Sequence, residues 1–452
     1  MNSVPAAKTA RWLSYENLLL AILFLAFGFV FFDRLALSFL FPFISAELRL
    51  SHTQLGMLSS VLALMWSLSG AVAGAYSDAR GARKQILVVA VIVFSLCSAL
   101  SGLVGSFVAL LVFRALMGVA EGPVLPLSQS LMIESSAPHR RGLNMGLLQG
   151  SAAGLLGAVI GPPVVIHFAT EYGWRTAFYL SCLPGFVIAA LIALFVRERP
   201  PRDAGAASAA ATGSHAGSRA HGAGDSAREP GAGRANRWQL LKHRNILLCV
   251  LISCSFVTWF IVLVSFAPTF LVEARRLTPQ QMSGVLSCLG AAWVLWGFAV
   301  PAISDRVGRK PAMVLFAAIA ALCPIVMMYA QSTWALGAGV LLTYTGLGCF
   351  TLFMATIPAE TIDRRSVATA LGLIMGIGEL IGGFFAPTIA GFAAHRFGLP
   401  VVMWIAAGGA LIACAASFLL VETAPAVLSR RAGLGATGAR TTARDHDLGS
   451  LS

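Results

Sequence analysis

Apolar stretches of about 20 residues recur along nearly the whole chain, parted by short polar breaks. Twelve can be counted. They run at approximately 17–41, 53–76, 85–104, 107–133, 143–168 and 176–196 and, after a gap, 246–272, 281–303, 312–330, 333–357, 368–394 and 400–421. Each is long enough to cross a hydrocarbon core of ~30 Å as a helix rising ~1.5 Å per residue. They are too long and too unbroken to be the alternating strands of an outer-membrane barrel. The pattern predicts an all-α membrane protein with 12 transmembrane helices. The first run lacks a small-residue cleavage site and continues into Asp33, so no cleavable signal peptide is expected.

The gap between the sixth and seventh runs, "PPRDAGAASAAATGSHAGSRAHGAGDSAREPGAGRAN" (200–236), is Ala, Gly and Ser with scattered charge. Such a segment cannot build a core and reads as a flexible linker. The chain therefore divides into an N-terminal six-helix bundle (1–199), a cytoplasmic linker (200–240), a C-terminal six-helix bundle (241–425) and a disordered cytoplasmic tail (426–452). The halves echo one another. "GAYSDARGARK" (74–84) ends the second segment and "PAISDRVGRKP" (301–311) the eighth, which sets Asp78 against Asp305. "ESSAPHRRG" follows the fourth segment and "ETIDRRS" the tenth, which sets Arg140 against Arg364 at nearly the same offset along the chain. Two echoes at nearly one offset argue for a duplication, hence two pseudo-symmetric bundles. Parallel six-helix halves with a site at the midplane between them form a transporter architecture.

Composition agrees: 57% of residues are hydrophobic and only 11% charged, against ~25% charged in a soluble domain. The formal net charge of +13 reports topology. Lys8, Arg11, Arg80, Arg83, Lys84, Arg140, Arg141, the linker, Arg306, Arg309, Lys310, Arg364, Arg365, Arg430 and Arg431 fall on one set of loops, while the other set is poorer. By the positive-inside rule both termini are cytoplasmic, in a cell inner (plasma) membrane. No basic face with readable elements speaks for nucleic acid. All eight cysteines lie inside apolar runs, with no CxxC pair or His cluster. They read as small apolar residues, and no metal or other cofactor is expected. There is no nucleotide loop and no nucleophile–base pairing, so the chain is not expected to be an enzyme. Any uphill work must then draw on an ion gradient.

Five ionisable residues sit well inside the apolar runs: Asp33, Arg34, Arg114, Glu121 and Glu379. Each costs at least ~2.5–3.5 kcal/mol to insert, so each needs a partner or a wet cavity. The guanidinium of Arg34 offers a planar fork that suits a carboxylate bidentately. Two readings stand: Arg34 binds a substrate anion, or it pairs with Glu121 or Asp33 and only holds helices together. Glu121 and, second, Asp33 can take up the coupling proton; in the competing reading each is a static ion pair. Arg114, seven residues before Glu121 and two turns away on the same face, tunes Glu121, lines the entrance or forms a structural pair. Glu379, in "GIGELIGG" (376–383), contacts substrate or proton from the second half, or bonds a neighbouring helix. Asp78 with Arg83 and Arg141, and Asp305 with Arg309, read as gating latches that hold one side closed, or as topology signals alone. Trp66 and Trp259 are candidate cavity walls.

The Gly-x-x-x-Asp-x-x-Gly-x-Arg-Lys loop at 74–84 resembles the signature loop of the major facilitator superfamily, and "GAVIGPP" (157–163), "GWRTAF" (173–178) and "VETAP" (421–425) fit the same family. "DRLALS" (33–38) together with "RALMGVAEGPVLP" (114–126) resembles the anion:cation symporter family. That resemblance implies proton-coupled uptake of a small organic anion, such as an aromatic carboxylate or a sugar acid, with Arg34 at the substrate. Departures from the pattern are informative. Phe31 stands where many members carry Tyr, Trp66 and Gly70 where Tyr and Gln are usual, Ala79 for Arg, and Pro301 for Gly. The first three remove polar groups and lean toward a less hydroxylated, aromatic acid. The alternative reading is a proton-driven drug or metabolite exporter, kept open by "GAVIGPP" and opposed by Arg34, which a cationic drug would avoid. A membrane receptor is a third reading, disfavoured because the linker is low-complexity. Sodium is the alternative coupling ion. One chain holds both halves, so a monomer is the expected working unit.

Overall fold

The computed structural model describes residues 14–80, 82–137, 140–197, 240, 242–362, 364–425 and 427–429. Almost all of the linker expected at 200–240 and of the tail expected at 426–452 lies outside the described residues. The described chain is a bundle of long helices. The first half holds α1 (Tyr15–Leu48), α2 (His52–Arg80), α3 (Arg83–Ser101), α4 (Phe107–Ser135), α5 (Arg141–Tyr172) and α6 (Trp174–Phe195). The second half holds α7 (Arg244–Ala274), α8 (Pro279–Val307), α9 (Arg309–Tyr329), α10 (Thr333–Thr361), α11 (Thr369–Phe397) and α12 (Pro400–Phe418). Eleven of these meet the length and apolarity needed to cross a bilayer. The remaining helix, α2, is 29 residues long, or roughly 44 Å, which also exceeds the hydrocarbon thickness.

The helices overrun the apolar stretches that predict them. α1 extends to 34 residues, because polar ends can continue a helix into the interfacial layer. Ser14 starts it by accepting from the Asn17 N–H, and Arg49, at φ 50°, stops it. α8 opens with a reciprocal cap between Thr278 and Gln281. Lipid serves as solvent for the outer faces: Leu103, Leu194, Leu315 and Phe397 are exposed and Trp334, at the start of α10, sits where an interfacial aromatic belongs.

The duplication reappears in the backbone. Gly173 and Gly398, both at positive φ, make the α5–α6 and α11–α12 turns, at nearly the offset that relates Asp78 to Asp305. α5 and α11 both widen to π-helix near mid-membrane, over Ala153–Ile160 and Glu379–Phe385. Widened turns of this kind free backbone groups and frequently mark functional positions.

The halves meet along α2 against α11, α5 against α8 and α1 against α7. At the end away from the chain termini, His52 Nε2 lies 2.9 Å from Glu273 Oε2, Ser60 and Thr388 share a 2.8 Å hydrogen bond and Ser287 donates to the Val159 carbonyl at 3.0 Å. Gly290 is in such close contact with the Ala158 backbone that a Cβ would collide with it. Toward the terminus-bearing end α5 and α8 stay within reach of one another, since a Cβ built on Gly154 would sit 2.8 Å from Val294 and one on Gly146 3.9 Å from Phe298. The halves are joined most tightly at and beyond mid-membrane on the far side.

Candidate functional site

A cavity opens between the halves near mid-membrane. Arg34, Phe31 and Ser38 of α1, Leu58, Ser59 and Leu62 of α2, Arg114 of α4, and Phe260, Ile261, Val264 and Ser265 of α7 are on its walls. The first half supplies the charges. The second supplies a largely apolar face. Phe31, Trp293 and Phe260 stack edge-to-face across the interface, with centroids 5.5 Å and 5.2 Å apart, and Phe350 continues the series 5.8 Å from Phe260. Such T-shaped pairs place a ring's positive edge on its neighbour's negative face.

Arg34 is the half-buried cation at the centre. Its guanidinium carbon lies 5.6 Å from the Phe31 ring and 5.3 Å from the Trp66 ring, so two aromatic faces hold its plane in place. Among the described residues its side chain makes no hydrogen bond and no ion pair, and it interacts electrostatically with Glu121 of its own half and Glu379 of the other. The competing reading, in which Arg34 is consumed by a salt bridge to Asp33 or Glu121, is not the arrangement seen. The donors of the fork are free.

Behind it sits a buried layer. Asp33 is fully buried; Ser98 of α3 donates to its Oδ1, and its Oδ2 has no partner. Arg114 is 3% exposed, and its Nη2 donates to the Arg34 backbone carbonyl at 3.3 Å. That bond ties α4 to the α1 turn carrying Asp33 and Arg34. Arg114 interacts electrostatically with Glu121 and Asp33. Glu121 is completely buried and neither carboxyl oxygen has a partner. Its charge is balanced only at a distance, by Arg34 and Arg114. Unpartnered buried carboxyl oxygens are rare and costly, so this layer is a poor structural device and a suitable place for a mobile proton.

Local sequence explains the placement. α4 breaks stride at Gly122–Pro123, directly after Glu121, because Pro123 lacks an N–H for the ladder. Gly70 of α2 approaches the Gly122 backbone so closely that a Cβ would sit 2.9 Å from its carbonyl oxygen. A longer residue there would push α2 off α4. The site residue Trp66 sits one turn earlier on α2, half-buried, with an unpartnered Nε1. Glu379 begins the π-helical turn of α11, and its Oε2 is buried without a partner.

Trp259 belongs elsewhere. It is wholly buried in the second half's core and donates to the Ala320 carbonyl of α9 at 3.2 Å, so it does not wall the cavity. An indole whose N–H finds a carbonyl in the core has no reason to face water.

The latch candidates lie at the terminus-bearing end. The side chain of Asp78 is outside the described part of the structure. Arg83, at the start of α3, pairs with Glu134 at the end of α4. Arg141 donates to the Ser136 carbonyl at 3.4 Å, within its own turn. In the second half Arg309 binds Asp305 at 2.6 Å, Glu360 at 2.9 Å and the Ser304 hydroxyl at 2.7 Å. All of these partners belong to one half. Glu134 and Glu360 escape a reading that looks only at arginines. Their signal was in the loop echo, since Glu134 is offset from Glu360 by the same number of positions as Arg83 from Arg309. Glu422, in "VETAP", caps α9 by accepting from the Arg309 and Lys310 N–H groups at 2.8 Å and 3.2 Å. The His52–Glu273 contact has no motif to announce it.

Residues 23–387 match the family model of the Major Facilitator Superfamily. The chain is similar to a hexuronate transporter of Bacillus subtilis (strain 168), 27% identical over 434 residues, which span 91% of this chain and 95% of the relative. It is also similar to a probable 4-methylmuconolactone transporter of Cupriavidus pinatubonensis (strain JMP 134 / LMG 1197), 27% identical over 356 residues and 78% of each chain. A solved D-xylose-proton symporter shares the fold, with a TM-score of 0.71 over 91% of this chain and 99% of that one at 17% identity.

Proposed function

The chain belongs to the major facilitator superfamily and is a multi-pass membrane transporter, and from that premise we propose that it takes up a small organic anion together with a proton, by alternating access. The observation that carries this reading is Arg34: a guanidinium with its donors free, gripped by Phe31 and Trp66, on the wall of the cavity between the halves. A planar fork with no internal partner is matched by a carboxylate.

The rest of the cavity selects the body of the substrate. Leu58, Leu62, Ile261, Val264 and Phe260 offer apolar contact, with Ser38, Ser59 and Ser265 as hydroxyls on the walls. An aromatic carboxylate satisfies both parts; a sugar acid would leave several hydroxyls against hydrocarbon, at a cost for each. Glu121 is the proposed proton carrier and Asp33 the second. A substrate carboxylate at Arg34 neutralises the cation that balances Glu121, so anion and proton each favour the other's binding. It follows that anion affinity rises as pH falls. Arg114 holds this layer together, and Glu379 approaches the substrate from the second half. The positive-inside rule supports a terminus-bearing end that faces the cytoplasm of an inner membrane. Asp78 with Arg83 and Arg141, and Asp305 with Arg309, brace that end during switching. The His52–Glu273 contact closes the opposite one.

Proteoliposomes with an imposed inward proton gradient test the reading, using labelled benzoate-type acids, glucuronate, galactonate and tartrate. Gradient-driven accumulation of an aromatic acid, lost in Arg34→Ala, is the expected result. No accumulation of any acid, with proton-driven expulsion of an apolar dye instead, would sink it in favour of an exporter.

A further inference from the structure

A hollow of about 790 Å³ lies away from the cavity at Arg34. It sits on the outer face of the second half, where α7 begins, α9 begins and α12 ends, so three helix ends place it at the membrane boundary of the terminus-bearing side. Arg244 and Lys310 stand at its rim. Neither side chain has an ion pair or hydrogen bond among the described residues. The one acidic residue on the wall, Glu422, is already engaged: its carboxylate accepts from the backbone N–H groups of Arg309, Lys310, Thr423 and Ala424. The rim therefore carries two cations against one carboxylate, and that carboxylate is held by the backbone of the first turn of α9 and not by either cation. Below the rim the wall turns apolar, with Val314, Leu315 and Phe418, and Leu315 and Phe418 are 54% and 59% exposed. Two free cations at interfacial depth above an outward-facing apolar groove match one kind of molecule.

We propose that this groove is a binding site for an anionic phospholipid, with the headgroup phosphate between Arg244 and Lys310 and an acyl chain along Leu315 and Phe418. A bound lipid would bridge α7, α9 and α12 at the point where Glu422 joins α9 to the end of α12. It would do so without touching the cavity at Arg34. The attraction follows from the negative surface of an anionic leaflet acting on juxtamembrane cations, and the groove adds a place for the tail that a plain basic patch lacks.

The test is native mass spectrometry of the full chain, released from nanodiscs of equal parts phosphatidylglycerol and phosphatidylethanolamine. The wild type should retain phosphatidylglycerol preferentially. Arg244→Gln with Lys310→Gln should reduce that retention roughly tenfold, each single change should reduce it partly, and Arg306→Gln, a basic residue of the same end outside the groove, should leave it unchanged. Thermal unfolding without added lipid establishes that each variant is folded. Equal retention in the double variant, or equal retention of phosphatidylethanolamine by the wild type, would overturn the proposal. Glycerol 3-phosphate protecting the wild type from unfolding as well as phosphatidylglycerol does would also overturn it, because the site would then recognise a free anion and not a lipid.

Discussion

The two halves descend from one pattern, yet they have divided the work. The first carries Asp33, Arg34, Arg114 and Glu121 in its membrane interior; the second carries Glu379 and a wall of Phe260, Trp293 and Phe350. At the terminus-bearing end the balance reverses. Arg309 is 9% exposed at its side chain and bound to Glu360, Asp305 and Ser304, while Arg83 is 22% exposed and its partner Glu134 44%. Buried charge with unpartnered atoms is concentrated in one half, and the most fully bonded arginine at the terminus-bearing end in the other.

The difference between the halves has measurable consequences. The largest effect belongs to Arg34→Ala. Losing a bidentate charge-assisted contact should weaken anion binding by about 3 kcal/mol, roughly 100-fold, in ligand-induced thermal shifts and abolish uptake. Arg34→Lys should recover only part, since a point charge lacks the fork. Next comes Glu121→Gln. Gradient-driven accumulation should fall to the level of passive equilibration, while exchange of labelled for unlabelled substrate survives and loses its dependence on pH. If accumulation persists, the first half does not carry the proton at Glu121.

The latches come third. Arg309→Ala should lower stability by ~1–3 kcal/mol because it removes a nearly buried side chain that holds Glu360, Asp305 and Ser304 together. Arg83→Ala should cost less than ~1 kcal/mol, as exposed pairs do. Equal losses in calorimetry would erase the proposed asymmetry. A smaller effect is expected of Phe31→Tyr with Trp66→Tyr, which puts hydroxyls beside Arg34. Competition uptake should then shift about tenfold toward glucuronate over the aromatic acid. The smallest is Glu379→Gln, for which uptake should stay within about threefold, since the second half contributes shape more than charge.

Much of this was legible in the chain. Helix length and hydropathy foretell the membrane bundle because a bilayer forces every spanning segment to satisfy its own backbone. The five intramembrane charges stand out because hydrocarbon makes them expensive. What periodicity leaves open is which of two aromatic residues lies at the charged site: Trp66 lies beside Arg34, while Trp259 turns into the core toward Ala320. Helical spacing gives a face, and only packing says what covers it. Gly70 was legible as the loss of a polar group, but its cause is a backbone crossing with Gly122, a contact between distant residues. His52 and Glu273 sit at helix ends in different halves, 221 residues apart, and nothing local couples them.

The most direct measurement is the number of protons taken up when an aromatic carboxylate binds the purified transporter, read by titration calorimetry in buffers of different ionisation enthalpy. The wild type should take up about one proton per anion bound, and Glu121→Gln, which still binds, should take up none. Binding without proton uptake in the wild type, or undiminished uptake in Glu121→Gln, would contradict proton coupling at Glu121.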